Sequence, residues 1–148
     1  MYKKILIATD GSKFAEAAVI HGVELAKQLG SKPVIVTVTE TWSAHQLAEK
    51  VQKGASTAVQ DYINSMKEMA QQILDDAKKV ADAAGVECET VHISDRLPAE
   101  GIIDAAEREG CDLIVMASHG RRGLGRMLMG SQTAEVLGFS KIPVLVLR

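Results

Sequence analysis

The sequence predicts an α/β fold: one doubly wound, five-stranded parallel sheet with helices on both faces. Three observations carry that reading. Short apolar or β-branched runs occur at residues 5–8, 33–38, 86–93, 113–117 and 143–147. The segments between them are long enough for right-handed parallel crossovers and carry helical signals. A glycine-bearing loop, Met116-Ala-Ser-His-Gly-Arg-Arg-Gly-Leu-Gly-Arg-Met-Leu-Met-Gly-Ser131, joins the fourth run to a helix start.

Taken in order, Ile5-Leu-Ile-Ala8 is a continuous apolar run, suited to a strand covered on both faces. Thr9-Asp10-Gly11-Ser12 is turn chemistry, with Ser12 as the helix N-cap. Ala15, Ala18, Val19, Gly22, Ala26 and Leu29 form a helical stripe that stops at Gly30. The second strand, 33–38, follows. Ser43 and Gln46 resemble a capping box for a short helix reaching about Lys53, with Gly54 ending it. Thr57 and Gln60 form a second capping box. It opens a long helix whose face runs through Val59, Ile63, Met66, Ala70, Ile73, Ala77, Ala81 and Ala84. Gly85 stops it. Residues 86–93 alternate loosely and read as a strand near an edge. Pro98 opens a further helix with Ile102, Ile103 and Ala106 inward, and Gly110 ends it. Residues 113–117 and 143–147 supply the last two strands, separated by the glycine loop and a helix beginning near Gln132.

Composition narrows the function. With 148 residues and 47% hydrophobic content, the chain fits one domain with a sizeable core. A net charge of −2 and 3% aromatic residues argue against nucleic acid, which needs a basic field or stacking platforms. No apolar run approaches the roughly 18 residues that span a bilayer, and no secretory h-region is recognised, so a cytoplasmic location is expected. Cys88 and Cys111 have no CxxC spacing and read as buried free thiols. The histidines His21, His45 and His92 have no metal-ligand spacing.

A glycine loop between a strand end and a helix N-terminus is where α/β proteins hold phosphate, because free N–H groups and the helix dipole converge there. The letters exclude three familiar loops. A dinucleotide fingerprint beginning at Gly123 and Gly125 would need glycine at Leu128. A P-loop from Gly125 to Gly130 would need lysine where Ser131 stands and a hydroxyl where Gln132 stands. A G-x-S-x-G elbow fails because Met116 stands two residues before Ser118. Adjacent residues at a strand end normally point apart, so Ser118 and His119 are not expected to pair. A response-regulator receiver fails as well: the first strand ends in the single acid Asp10, and no lysine follows strand five.

What remains is Ala117-Ser-His-Gly120, nine residues, then Gly130-Ser131. Together with Lys3-Lys-Ile-Leu-Ile-Ala-Thr-Asp-Gly-Ser12 and Pro143-Val-Leu-Val146, it resembles the universal stress protein family over essentially the whole chain. That family carries G-x2-G-x9-G-[ST] after the fourth strand of a flavodoxin-like (adenine nucleotide alpha hydrolase-like) sheet, and Ala117 here replaces the first glycine. The resemblance implies one such domain over residues 1–148, binding ATP or AMP at the carboxyl ends of strands one, two and four, with Mg²⁺ accompanying the nucleotide. By position, Ala8, Thr9, Asp10 and Val38 match residues beside adenine and ribose. Met116, Ala117, His119 and Gly120 match the first part of the loop, and Gly130, Ser131, Gln132 and Thr133 match the part that holds phosphate. Arg121 could neutralise phosphate charge, as could Arg122 and Arg126, or all three could be solvated. Asp10 could equally be a turn residue beside the Ser12 cap. Gly130 would let backbone approach the anion, and Ser131 would cap the helix and donate to phosphate.

Three functions are consistent with these residues. The first is an ATP- or AMP-binding stress-response regulator acting through conformation or partners. The second is a nucleotide-free dimeric interaction protein. The third is a slow ATPase, for which no residue stands out as water-positioning base. The resemblance implies a homodimer through strand five (Val144, Leu145, Val146, Leu147), whose apolar run would sit at a sheet edge and need cover.

Overall fold

The computed structural model describes residues 1–40, 48–49, 52, 57–119 and 129–148. Within them the element order is β1 (Lys4–Ala8), α1 (Lys13–Leu29), β2 (Lys32–Thr39), α2 (Ala58–Ala83), β3 (Glu89–Ser94), α3 (Pro98–Arg108), β4 (Leu113–Ala117), α4 (Ser131–Phe139) and β5 (Val144–Leu147). Of the short helix expected over 43–53, only Ala48, Glu49 and Gln52 are described, and these are helical. The rest of that expectation lies outside the described residues, as do Gly54, Gly120, Arg121, Arg122 and Arg126.

All five strands are parallel, in the order β3-β2-β1-β4-β5. The doubly wound class is as the sequence predicts. Its order is 3-2-1-4-5, whereas flavodoxin itself runs 2-1-3-4-5. Strand alternation divides the core in two. Leu6, Ala8, Val34, Val36, Ile114 and Met116 face a cluster built with Ile102, Ala105 and Ala106 of α3 and Val136 of α4. Ile5, Ile7, Ile35, Leu113 and Val115 face Val19, Val23 and Ala26 of α1 and Leu74, Ala77 and Ala81 of α2. β1, with a neighbour on each side, has no exposed residue, which accounts for its unbroken apolar letters.

Local chemistry sets most helix ends. Ser12 is the N-cap of α1, accepting from the Ala15 N–H at 3.2 Å. Gly30, Gly85 and Gly110 take φ of 65°, 71° and 66° and close α1, α2 and α3 with paired backbone bonds. In α1, Ser31 N–H reaches Ala26 O at 2.9 Å and Gly30 N–H reaches Lys27 O at 3.3 Å.

Three local expectations differ. Thr57 precedes α2 with φ −95° and ψ −9°, a helical conformation rather than the extended one a capping residue adopts, and no side-chain cap forms. Gln60 instead donates to Asn64 Oδ1 at 3.0 Å. Leu29, at the last helical position of α1, is exposed, while Val23 is buried on the stripe. β3 begins at Glu89 rather than Val86, because the Val86 N–H is used to close α2 on Ala81 O.

Candidate functional site

The strand order reverses between β1 and β4, since β1 continues outward to β2 and β4 to β5. Crossovers leave the two carboxyl ends in opposite directions there, which opens a crevice in the sheet edge. Ile7 pairs with Val115, so Asp10 and Ser118 stand level at the crevice, each three residues further along. Ala8 pairs with Val36, which brings Val38 level with Asp10 on the other side.

The β1 side is knitted by short side chains. The Thr9 N–H donates to Val36 O at 2.9 Å, extending the ladder by one residue. Thr9 Oγ1 accepts from Gly11 N–H at 3.2 Å, and Asp10 Oδ1 accepts from Ser12 N–H at 2.9 Å. The Asp10 carboxylate thus braces the turn that places the Ser12 cap. Gly11 has φ 78°, a conformation that a side chain would strain.

The β4 side is organised around the Ser118 carbonyl. It accepts from the Gly130 N–H at 2.8 Å and shares the Thr133 hydroxyl with Ala117 O, at 3.2 and 3.0 Å. A Cβ on Gly130 would lie 2.9 Å from that carbonyl oxygen, so glycine is needed there for approach to β4. Gly130 is the N-cap of α4, with φ −58° and ψ 147°, and its carbonyl accepts the first helical bond from Ala134. The N–H groups of Ser131, Gln132 and Thr133 therefore precede the first intrahelical donor and sit at the positive end of the helix dipole. This is an anion-type donor set at the switch point.

Several sequence assignments change in detail. Ser131 is the first helical residue and not the cap; the cap position belongs to Gly130. Thr133 is buried and its hydroxyl is committed to β4, leaving its backbone N–H as what it can offer a ligand. The Gln132 side chain turns away from α4, accepting from Ala99 N–H of α3 at 2.9 Å. Ala8, Met116 and Ala117 are buried, and Ala8 and Met116 belong to the core under α3 and α4. Val38 is half-buried against Gly101 of α3. Gly120 and Arg121 fall outside the described residues.

Ser118 and His119 do pair, against expectation, with Oγ and Nδ1 3.0 Å apart. β4 ends at Ala117, so strand alternation no longer governs these two side chains. The His119 ring also meets Phe14 of α1, 6.1 Å between centroids and tilted by 49°. Nothing in the sequence spacing signals the Phe14 contact, the Ser118 carbonyl hub or the Gln132–Ala99 bond. Each joins residues brought together only by the fold.

Titration adds little reactivity elsewhere. Burial pushes the Cys111 thiol up to about 11 and raises that of Cys88, so both stay protonated and weakly nucleophilic. On β3, His92 shares a 2.7 Å hydrogen bond with Thr39, and burial with the Lys67 charge lowers its pKa. Among the described residues, no group of three or more His, Cys, Asp or Glu could hold a metal ion, and no helix is long and apolar enough to cross a membrane. A depression of about 380 Å³ lined in part by Lys27, Lys32, Val86 and Cys88 lies at the opposite pole, away from the crevice.

An open parallel sheet with a donor-bearing helix start at its switch point defines the class of α/β proteins that take ligands at the carboxyl edge. Compared with known proteins, all 148 residues match the universal stress protein family, and the chain belongs to that family. It is 33% identical to the universal stress protein MJ0577 of Methanocaldococcus jannaschii over 164 aligned positions, covering all of this chain and 96% of that one. It is 31% identical to the universal stress protein YxiE of Bacillus subtilis, with both chains fully covered. Among solved structures, that of MJ0577 superposes with TM-score 0.81 at 31% identity, over 99% of this chain and 96% of the other. A universal stress protein in complex with cAMP gives TM-score 0.73 at 26% identity, over 99% and 97%.

Proposed function

We propose that this protein binds an adenine nucleotide, ATP or AMP, at the crevice between β1 and β4, and acts in the stress response through nucleotide-dependent conformation or partners. The observation that carries the reading is the first turn of α4. Gly130 and Thr133 fasten it to β4, and its N–H groups from Ser131 to Thr133 are left for an anion. The family membership and the cAMP held by a relative of the same fold support the choice of an adenine nucleotide. Mg²⁺ would come with the phosphates and keep most of its waters. A second reading, a nucleotide-free interaction protein, is favoured by one observation: Ala117 stands where the motif's first glycine belongs.

Calorimetry with ATP–Mg²⁺ tests the proposal, run on wild type and Ser131→Glu after denaturing a sample to identify any carried-over nucleotide. Ser131 is exposed at the first helical position, where a carboxylate favours the helix dipole by roughly 0.3–1 kcal/mol. The variant should therefore melt no lower than wild type while repelling phosphate. One ATP per chain, lost in Ser131→Glu, is the expected result. Equal binding by both would show that the assigned turn is wrong. No heat and no carried-over nucleotide in wild type would establish the second reading instead.

A further inference from the structure

Helix α3 lacks a cap of its own. Its N-cap residue is Leu97, whose side chain cannot accept a hydrogen bond, and Pro98 at the next position has no N–H. The first donor that needs an acceptor is the N–H of Ala99, and Ala99 is only 3% exposed. Its acceptor comes from 33 residues away: Gln132 Oε1, at 2.9 Å. A cap side chain ordinarily bonds the second or third N–H of its own helix. Here a residue in the first turn of α4 does so for α3.

The same residue lies in the turn to which the nucleotide phosphates are assigned. That turn is tied to β4 by the Gly130 N–H and the Thr133 hydroxyl, and Gln132 ties it to α3. On its other flank, α3 packs on the end of β2 so closely that a Cβ on Gly101 would lie 2.7 Å from Val38 Cγ1. One short chain of contacts therefore runs from the α4 turn through Gln132 and α3 to β2. A long, rotatable side chain held at its far end is already ordered before a ligand arrives, which removes an ordering cost from binding.

We infer that Gln132 is a positioning residue that couples occupancy of the α4 turn to the N-terminus of α3. The inference rests on the nucleotide reading above and adds to it the route by which binding reaches a second helix. Because coupling between sites is reciprocal, a ligand that steadies the α4 turn also steadies the Ala99 hydrogen bond.

Amide hydrogen exchange at Ala99, read by NMR with and without saturating ATP–Mg²⁺, tests it alongside calorimetry. In wild type the Ala99 amide should exchange slowly and slow further with ATP. Gln132→Met keeps the bulk and removes the acceptor, so Ala99 should exchange fast, ignore ATP, and accompany about tenfold weaker ATP binding. Gln132→Glu retains an acceptor oxygen and should restore both the slow exchange and its response at saturating ATP, even where its charge weakens affinity. A merely structural cap would alter the exchange of the free protein without any response to ATP. If wild type binds ATP while its Ala99 amide ignores the ligand, or if Gln132→Met binds as wild type does, this inference is overturned and the nucleotide reading stands. If wild type binds no ATP, the nucleotide reading fails and the coupling fails with it.

Discussion

At Gly130 the chain comes so near the end of β4 that the missing side chain matters to the fold itself. A Cβ there would meet the Ser118 carbonyl, which is backbone and cannot swing aside. Alanine is a poorer N-cap than glycine, by roughly 0.5–1 kcal/mol, and a forced backbone shift in packed structure costs a larger amount, roughly 1–3 kcal/mol. Gly130→Ala should therefore lower stability by that larger amount in denaturant titration. Gly138→Ala, in the same helix with nothing within 4 Å of the added Cβ, should raise it by roughly 0.5–1 kcal/mol. Equal effects of the two would contradict the close approach. Thr133 tells a similar story: its hydroxyl is consumed by the carbonyls of Ala117 and Ser118 at the end of β4, which leaves the backbone N–H as what the residue can offer a ligand.

The elements show which signals are local. Gly30, Gly85 and Gly110 end their helices as expected, because a left-handed residue and two backbone bonds are decided within one turn of chain. The Thr57 box was equally local in letters and did not form, since the chain enters α2 already in helical conformation. The packing of α3 on β2 had no signature at all. Gly101 permits it, and Val38 fills the space a side chain would take. Alanine in place of Gly101 gains roughly 0.8–1.0 kcal/mol of helix propensity, yet it must displace Val38. Gly101→Ala should be net destabilising by thermal melting, and the double variant with Val38→Ala should be more stable than the sum of the two singles by at least about 0.5 kcal/mol. Additive effects would mean that α3 shifts freely away from the sheet.

For the whole molecule, the sheet of the described residues has two edges, β3 beside β2 and β5 beside β4, and both edge strands are partly exposed. Val144 and Val146 turn toward the core under α3 and α4, while Leu145 stands 39% exposed on the opposite face. An apolar edge of this kind invites a second copy. We expect a dimer in sedimentation equilibrium at micromolar concentration, shifted toward monomer by Leu145→Lys. A wild-type monomer under those conditions would rule out the strand-five interface.

The sequence by itself determined the α/β class, the helix stops at Gly30, Gly85 and Gly110 and most of the strand runs, because these depend on letters within a turn or a strand of one another. It determined the family through short strings of letters at residues 3–12, 117–131 and 143–146. It also marked the Thr9–Asp10 turn and the Gly130–Ser131 helix start as the place to look. Only the tertiary structure decided that the order reverses between β1 and β4, that the Ser118 carbonyl gathers Gly130 and Thr133, and that Gln132 caps a different helix. The hydrogen bonds among these join residues 12 to 33 apart in the chain, and the β1–β4 pairing joins Ile5 to Leu113. Which buried donor meets which acceptor at that distance is set by how sheet and helices pack, since a buried polar group takes the partner that packing leaves within reach.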